Sequence, residues 1–294
     1  MKATVIYNPA AGQRDEHGQL QAALRFLALH GWSVSVEATL GRGDATTYAR
    51  HAVVAGHNAV VVVGGDGSIN EAVQALAHSG TALGVLPRGT GNVWAREVGI
   101  PLHNLPEAAR AMVDGQVHTV DLGMAGDRYF LMWTGIGFDA SLVKELEETQ
   151  PGFKRQWGMA AFLVRGAALA LSFVGSRLEY RINGRRIRRR TIMAVLANGR
   201  RYAAYLDLAP NARLDDGLLD LYIFKGRGWL YTLRHFAGMA SGLHVRDPEV
   251  EYFQVEKVGV KGRASLPVHT DGELAGETPM EFRVAPAALH VIVP

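Results

Sequence analysis

The chain has 294 residues, of which 48% are hydrophobic and 20% are charged, a composition typical of a globular protein with two domains or one large one. It contains no cysteine, which excludes disulfide frameworks, thiolate zinc sites, iron–sulfur clusters and thiol nucleophiles, and favours a reducing compartment. The formal net charge is only +3, although nine arginines and one glutamate lie between Arg177 and Arg201.

The first part of the chain alternates apolar strand-like runs with helical stretches, which predicts βαβ units and a parallel sheet. The predicted strands are Thr4–Tyr7, Ser33–Val36, Ala59–Val63, Leu83–Leu86 and Val117–Leu122. The predicted helices are Asp15–His30, Asp44–Ala55, Ile69–Ala77, Val93–Val98 and Pro106–Val113. Gly31 is placed to end the first helix and Asp44 to cap the second. The run Val60–Val63 is apolar on both faces, as a central parallel strand must be.

The character of the chain changes near residue 126. Three dipeptides typical of hairpin turns, Asn183-Gly184, Asp216-Gly217 and Asp271-Gly272, lie beside β-prone runs such as Leu178–Ile182 and Leu219–Phe224. A single helical region, Ala140–Phe173, interrupts this pattern. We therefore predict an α/β domain over residues 1–125 and a mostly antiparallel β domain over residues 126–285.

The sequence predicts neither a targeting signal nor a membrane span. The N-terminal apolar run is too short for a secretory signal. The longest apolar stretch, Gly158–Gly175, is interrupted by Arg165, whereas a membrane span needs about 20 apolar residues. We expect a cytoplasmic protein whose membrane contact is peripheral, at the inner face.

Three turns rich in small residues follow predicted strands. Gly64–Ser68 lies between a strand and a helix, Asn8–Gly12 follows the first strand, and Pro87–Asn92 follows the fourth. Because ligands bind at the carboxyl ends of strands in open α/β sheets, these turns favour a nucleotide site over plain tight turns. There is no Walker motif, and Asn70 stands where a dinucleotide-binding fingerprint needs its third glycine. A separate match, Gly135–Ala140, lacks the acidic residue that such a fingerprint needs further along the chain.

A series of motifs, in order along the whole chain, resembles the diacylglycerol kinase catalytic-domain family of lipid kinases, which includes sphingosine and ceramide kinases. The motifs are Asn8-Pro9-x-x-Gly12, Gly64-Gly65-Asp66-Gly67-Ser68-x-Asn70-Glu71, Pro87-x-Gly89-Thr90-x-Asn92, Asp121-Leu122-Gly123, Gly135-x-Gly137-Phe138-Asp139, Asn198-Gly199, Pro210-x-Ala212 with Asp216-Gly217, and Asp271-Gly272-Glu273. The chain departs from the family at Ser68, which replaces threonine, at Val93-Trp94, which replaces Asp-Phe, and at Ala203-Ala204, which replaces a glycine pair.

The resemblance implies a Rossmann-like (phosphofructokinase-like) parallel α/β domain followed by a C-terminal antiparallel β-sandwich domain. It also implies that the final strand, Leu289–Val293, returns to the first domain, so that residues 286–294 belong there. The implied activity is ATP-dependent phosphorylation of a lipid hydroxyl, of diacylglycerol or a related lipid, with Mg²⁺. The implied nucleotide-binding residues are Asn8, Pro9, Ala10, Ala11, Gly12, Thr39, Gly64, Gly65, Asp66, Gly67, Ser68, Ile69, Asn70, Gly89 and Thr90.

Three acidic positions are candidates for the chemistry. On sequence alone, Asp216-Gly217 and Asp271-Gly272 are more often simple solvated turns. The resemblance implies that Glu273 is the general base and that the Asp216 side chain, with the main-chain carbonyls of Arg213 and Leu218, holds a structural Mg²⁺. It implies that Asp66 handles Mg²⁺–ATP or, as in sphingosine kinases, is itself the base.

Several alternatives stay open at this stage. The Arg177–Arg201 run is either a charged edge hairpin or a contact with anionic membranes, and no reader motif indicates nucleic acid. The apolar stripe of Trp157–Phe173 is either core or the lining of an acyl-chain pocket. An NAD-kinase-like enzyme and a catalytically silent lipid- or nucleotide-binding protein are the other functions considered. The oligomeric state is open, with a homodimer among the alternatives.

Overall fold

The structure, a computed structural model, describes residues 1–12, 17–102, 104–149, 165–166, 168–202 and 206–294. The predicted helix start at Asp15, most of the apolar stripe Trp157–Phe173 and the pair Ala203-Ala204 lie outside the described residues. The described chain forms two compact units. Unit 1 comprises Met1–Leu122, Leu214–Asp216 and Ala285–Pro294, and unit 2 comprises Gly123–Arg213 and Gly217–Val284.

Unit 1 is built on a parallel sheet, as predicted. Its strands lie in the order β2-β1-β3-β4-β17, and the last part of β17 pairs in parallel with β4 through Val291 and Leu83. Residues Ala285–Pro294 accordingly belong to unit 1. The strands are β1 (Lys2–Tyr7), β2 (Ser33–Ala38), β3 (Ala59–Gly64), β4 (Ala82–Pro87) and β17 (Met280–Val293). Every residue of β3 is buried, which explains its unbroken valine run.

The helices of unit 1 follow the predicted pattern, with two local corrections. They are α1 (His17–Leu29), α2 (Asp44–Val54), α3 (Asp66–Leu76), α4 (Val93–Glu97) and α5 (Leu105–Asp114). The prediction that Asp44 caps α2 is wrong, because Gly43 is the cap and the Asp44 carboxylate instead accepts the N–H groups of Leu40 and Gly41. Helix α3 begins at Asp66, three residues before the predicted start, because the glycine-rich turn runs directly into the helix.

The fifth predicted strand does not extend the parallel sheet beside β4, a position that β17 occupies. Strand β5 (Gln116–Ala125) pairs with β17 and, antiparallel, with β6 (Arg128–Phe130). Within unit 1, the Asp121 N–H donates to the carbonyl of Leu214 (2.6 Å), and the Asp121 carboxylate accepts the N–H of Ala287 (2.7 Å). This buried aspartate therefore connects three separate segments of unit 1.

Unit 2 is predominantly antiparallel, as predicted. Its main path is β16-β15-β7-β9-β8-β14-β17, and β12 pairs with both β9 and β13. The strands are β7 (Trp133–Gly137), β8 (Ser176–Ile182), β9 (Arg185–Ala197), β10 (Arg201–Tyr202), β11 (Leu206–Asp207), β12 (Leu219–Lys225), β13 (Val250–Val255), β14 (Lys257–Gly262), β15 (Pro267–Thr270) and β16 (Glu273–Glu277). Its helices include α6 (Phe138–Thr149) and α7 (Trp229–Ser241), and a 3₁₀ turn (Leu243–Arg246) follows α7.

Strand β9 has core on both faces along its second half. Ala194 and Leu196 belong to one hydrophobic cluster, with side chains of β8, β12 and β14, whereas Met193 and Val195 belong to a second cluster with residues of α6 and α7. Successive side chains of a strand point to opposite faces, so a doubly covered strand needs a continuous apolar run. The sequence Ile192–Ala197 meets that requirement.

Two of the three predicted hairpin turns are present. Asn183-Gly184 and Asp271-Gly272 have positive φ at both residues (48° and 79°, 47° and 81°) and connect paired strands, as in a type I′ turn. The prediction for Asp216-Gly217 is wrong, because β12, the strand after this turn, pairs with β9 and β13 and not with β11, the strand directly before the turn. Among the described residues, no helix is both long and apolar enough to cross a membrane.

Candidate active site

The predicted phosphate-binding turns of unit 1 lie at one edge of the parallel sheet. The Asn8 N–H donates to Val63 (3.0 Å), the Arg88 N–H to Gly64 (2.8 Å), and the Thr39 N–H to Tyr7 (2.9 Å). Each of these bonds continues the strand pairing by one residue, so each turn begins where its neighbour's strand ends. The segments after β1, β2, β3 and β4 are therefore brought together, as the sequence predicted.

Two glycines at this edge make a backbone approach that no side chain would allow. A Cβ atom on Gly89 would lie 2.6 Å from the Gly65 Cα atom, and a Cβ atom on Gly65 would lie 3.1 Å from the Gly89 Cα atom. The turn after β3 and the turn after β4 are thus in direct main-chain contact. Small residues at such a place leave main-chain N–H groups accessible to an anion, at the N-terminus of α3.

Asparagine side chains hold these turns in shape. Asn8 donates through Nδ2 to Ser68 Oγ (3.0 Å) and accepts the N–H of Ala10 (2.9 Å). Asn92 both accepts from the Gly89 N–H and donates to the Gly89 carbonyl, each at 2.8 Å. Asn70 is only 1% exposed, and its buried Nδ2 has no acceptor among the described residues. An unsatisfied buried donor and a cradle that a Cβ would fill both fit a site for phosphate oxygens.

Asp66 is the first residue of α3 and also caps another helix. Its Oδ1 accepts the N–H of Trp94 (3.3 Å), in the first turn of α4. Burial raises the pKa of the Asp66 carboxyl, and main-chain N–H groups, led by that of Trp94, partly offset the rise. Asp66 therefore caps α4, and its carboxyl lies at the edge of the sheet where the turns after β3 and β4 meet.

Arg88 is a buried cation at this edge, and it was not among the site residues predicted from the sequence. Its Nη1 donates to the Tyr7 hydroxyl (2.9 Å) and to the Asn8 carbonyl (3.4 Å), and its guanidinium lies 5.2 Å from the centre of the Tyr7 ring. This contact joins the turn after β4 to the end of β1. The signal was present in the sequence, since Arg88 stands between Pro87 and Gly89 in a turn otherwise made of small and uncharged residues.

The remaining nucleotide-binding candidates differ in how accessible their side chains are. Pro9, Ala10, Gly12, Gly67 and Thr90 are exposed, whereas Thr39 and Ile69 are buried. Ile69 packs its side chain into the core of unit 1, so it can offer a ligand only its main chain.

In unit 2, Glu273 begins β16, directly after the Asp271-Gly272 turn. Its Oε2 accepts a hydrogen bond from Arg128 Nη2 at 2.6 Å, and the side chains of Glu273 and Arg128 are 20% and 28% exposed. The predicted base is therefore held by a charge-assisted hydrogen bond from β6 while remaining accessible to solvent. Arg128 was not predicted, because nothing local in the sequence connects it with a residue so far along the chain.

Asp271 is more than a turn residue. Its carboxylate accepts three main-chain N–H groups, from Leu131 (2.7 Å), Met132 (3.0 Å) and Trp133 (3.0 Å). Its own N–H donates to the Trp133 carbonyl (2.9 Å). The hairpin that carries Glu273 is thereby fixed to the segment entering β7.

A buried histidine–aspartate pair lies behind the same hairpin. His269 Nε2 is 3.0 Å from Asp139 Oδ2, Tyr202 donates to the same oxygen (3.4 Å), and both His269 and Asp139 are buried. Because the Gly272 N–H donates to His269 Nδ1 (3.4 Å), the ring proton belongs on Nε2, where it donates to Asp139. Neither residue was predicted from the sequence to have a role of its own.

The predicted metal donors are one carboxylate, from Asp216, and two main-chain carbonyls, from Arg213 and Leu218. Within the described ranges, no three acidic or histidine side chains gather as a metal site. That does not conflict with the prediction, since Mg²⁺ usually binds one or two carboxylates and keeps several waters. Each of the three residues already takes part in an interaction within the structure.

Comparison with known proteins identifies the class. Residues 2–125 match the family model described as the diacylglycerol kinase catalytic domain, and residues 135–293 match the YegS C-terminal NAD kinase beta sandwich-like domain. A Bacillus subtilis (strain 168) diacylglycerol kinase is 28% identical over 100% of this chain and 96% of its own length. One from Staphylococcus aureus (strain MRSA252) is 30% identical over 100% and 92%.

Solved structures agree at the level of the fold. A crystal structure of a diacylglycerol kinase from Bacillus anthracis str. Sterne superposes with a TM-score of 0.77 at 21% identity, covering 100% of this chain and 97% of that one. The fold is therefore that of a kinase with an N-terminal parallel α/β domain and a C-terminal β-sandwich, as predicted. The chain belongs to the diacylglycerol kinase family.

Proposed function

We propose that this kinase transfers the γ-phosphoryl group of ATP to the hydroxyl group of a lipid, most directly diacylglycerol, with Mg²⁺ as the metal. The observation that carries the proposal is the main-chain contact of Gly65 and Gly89 at the edge of the parallel sheet. Such a contact opens space for phosphate oxygens at the N-terminus of α3. The names of the relatives, all diacylglycerol kinases, support a diacylglycerol acceptor.

The nucleotide would bind across the turns of unit 1. Asn8–Gly12, Thr39, Gly64–Asn70, Gly89 and Thr90 would hold its phosphates and sugar, mainly through main-chain N–H groups, the Ser68 hydroxyl and the Asn70 amide. The buried guanidinium of Arg88 adds positive charge to the same edge. Phosphoryl transfer depends on such positioning and charge neutralisation more than on covalent chemistry.

The acceptor hydroxyl must lose a proton as its oxygen bonds to the γ-phosphorus and the bond from that phosphorus to the ADP oxygen breaks. Glu273 would take this proton, and Arg128 would orient the carboxylate for it. Asp66 would handle the Mg²⁺–ATP complex, with the base role as its alternative. Asp216, with the carbonyls of Arg213 and Leu218, would hold a structural Mg²⁺, which would stabilise the fold around that turn.

The test is transfer of labelled phosphate from ATP to acceptors in mixed micelles. The panel contains diacylglycerol, monoacylglycerol, a sphingoid base, phosphatidylglycerol and NAD, with GTP as a second donor and EDTA as the metal-free control. We expect transfer to diacylglycerol, dependent on Mg²⁺. Transfer to NAD alone would support the NAD-kinase-like alternative that the description of the C-terminal domain suggests. No transfer to any lipid would overturn the proposal.

Two variants separate the roles of the carboxylates. Glu273→Gln should abolish turnover and keep wild-type affinity for Mg²⁺–ATP, because the base acts only on the acceptor. Asp66→Asn should lose both turnover and affinity. If Asp66→Asn instead keeps its affinity for Mg²⁺–ATP and loses only turnover, Asp66 is the base.

A lipid acceptor requires access to a bilayer. The Arg177–Arg201 segment would supply a peripheral contact with anionic lipids, consistent with a cytoplasmic protein at the inner face of the membrane.

A further inference from the structure

The arginines of β8 and β9 do not all lie on one face of the sheet. Strand register determines which face each of them occupies. Leu178, Tyr180 and Ile182 of β8 point into the hydrophobic core, so Arg177, Glu179 and Arg181 point outward. Residues directly opposite in an antiparallel pair share a face. On β9, Arg190, Arg188 and Arg186 lie opposite these three residues in turn.

The next strand extends the same face with cations from a distant part of the sequence. Lys261 of β14 lies opposite Glu179, and Val258 and Val260 point into the core. Arg263 follows on the same side. It lines a groove of about 510 Å³ together with Arg177, Arg188, Arg190, Glu179 and Lys261. We call the outward side chains of β8, β9 and β14, together with Arg263, the basic face.

Among the described residues, two carboxylates offset the cations of the basic face: Glu179 of β8, and Glu281 of the neighbouring β17, which lies 2.8 Å from Lys257 of β14. Glu179 accepts hydrogen bonds from Arg188 (2.9 Å) and Lys261 (3.2 Å), which lower the pKa of its carboxyl. Arg177, Arg181 and Arg263 pair with no described carboxylate. Arg189, by contrast, points to the other side and is paired with Glu251 at 2.8 Å. The arginines of the Arg177–Arg201 segment therefore belong only in part to the basic face.

The basic face ends at exposed apolar side chains. Arg190 donates through Nε to the Gly175 carbonyl (3.1 Å), and its own carbonyl accepts the Gly226 N–H (2.9 Å). Val174, directly before Gly175, is 52% exposed, and Leu230, at the start of α7, is 63% exposed beside Trp229. Cationic and exposed aliphatic side chains together are typical of a surface that enters a lipid headgroup region, and a nucleic-acid backbone offers the aliphatic groups nothing.

We propose that the basic face binds the anionic headgroups of a phospholipid bilayer while Val174, Trp229 and Leu230 enter the interface beside them. This rests on the proposed function in one respect, since a lipid acceptor gives the kinase a reason to dock. The phosphate groups of the lipids would accept bidentate hydrogen bonds from the arginines across the groove.

The test is sedimentation of the 294-residue chain with vesicles of phosphatidylcholine alone or with about one lipid in three replaced by phosphatidylglycerol. Wild type should bind only the anionic vesicles, and less as salt is raised. At about 1 kcal/mol per basic residue, the triple variant Arg177→Gln/Arg181→Gln/Arg263→Gln should bind roughly 100-fold more weakly. The matched control Lys2→Gln/Arg50→Gln/Arg110→Gln removes the same charge from exposed positions of unit 1 and should change binding little.

A second pair of variants tests the apolar component. Val174→Ser/Leu230→Ser should weaken vesicle binding by about tenfold at any salt concentration. The control Leu29→Ser/Val54→Ser changes side chains that are 84% and 83% exposed in unit 1 and should have no effect. Equal binding by the triple variant and its control would overturn the proposal. So would a triple variant that loses affinity for duplex DNA or free pyrophosphate while its vesicle binding stays at the wild-type level.

These experiments test the docking surface and the proposed kinase activity independently of each other. Turnover of a short-chain, monomeric diacylglycerol needs no bilayer, so it should be unchanged in the triple variant. Vesicle binding as expected without phosphorylation of any lipid would contradict the proposed function and leave the docking surface standing.

Discussion

The clamp formed by Asp271 makes a prediction whose size follows from the structure. In Asp271→Ala, the N–H groups of Leu131, Met132 and Trp133 lose their common acceptor. Hydrogen bonds to a charged group are worth about 1.5–3 kcal/mol each, and water reaching this partly exposed side chain reduces the net loss to about 1 kcal/mol per bond. Alanine at φ 47° adds about 1 kcal/mol of backbone strain. We expect a total loss of about 4 kcal/mol in the free energy of unfolding of unit 2.

Two further variants separate the clamp from the turn. Asp271→Asn keeps the turn geometry and one acceptor oxygen but turns an NH₂ group towards a donor, so it should cost about 2 kcal/mol. Asn183→Ala changes the other type I′ turn, at φ 48°, where the side chain is exposed and clamps no strand. It should cost only the strain, about 1 kcal/mol.

The assay is urea unfolding of the full chain combined with hydrogen exchange at single amides. In Asp271→Asn, the amide of Leu131 should lose protection while those of Met132 and Trp133 keep most of theirs, since their shared acceptor oxygen remains. Equal destabilisation by Asp271→Ala and Asn183→Ala would show that the clamp adds nothing beyond the turn, and the reasoning would be refuted.

Three other predictions concern the candidate site. Gly89→Ala should weaken ATP binding at least tenfold in a direct titration, because its Cβ would lie 2.6 Å from Gly65, whereas Gly80→Ala, with nothing within 4 Å, should bind normally. Arg128→Gln should lower kcat about tenfold with unchanged ATP affinity, while Lys144→Gln, which removes an exposed ion pair to Glu277, should alter neither. Because burial raises the folded-state pKa of Asp66, its ionised form disfavours the fold above that pKa. In thermal unfolding of the ligand-free protein, Asp66→Asn should therefore have a higher Tm than wild type near neutral pH, and the difference should shrink as the pH falls. A difference in Tm that grows on acidification would contradict this reasoning.

The sequence was informative wherever structure depends on neighbours along the chain. The glycine turn after a valine strand, the two Asx-Gly hairpins and the alternation of strands and helices all follow from local conformational preferences. The helix boundary at Asp44 was predicted one residue away from its observed place. An aspartate next to a glycine can be the cap of a helix or its first residue, and local preference does not distinguish the two. Such boundaries depend on which main-chain N–H groups the carboxylate reaches.

The contacts that sequence reasoning missed join residues far apart in the chain. Arg88 reaches Tyr7 across 81 positions, Asp271 reaches Leu131 across 140, and Arg128 reaches Glu273 across 145. No local pattern encodes these distances, since each depends on strand order and register established by the whole core. The sequence shows that a cation or a carboxylate stands beside a turn. It does not show which distant residue that side chain contacts.

Strand register links two properties of unit 2, the packing of its core and the position of its basic face. On β8, the residues that fill the core and those that form the basic face alternate, so a slip of one position would bury Arg177 and Arg181 and expose Leu178 and Tyr180. Burying unpaired arginines costs far more than any surface contact can return. The core therefore fixes which arginines face outward, and neutral substitutions on that face should leave unfolding unchanged while they alter vesicle binding. Destabilisation of the triple glutamine variant by more than its unit 1 control would mean that the two faces are energetically coupled through the sheet.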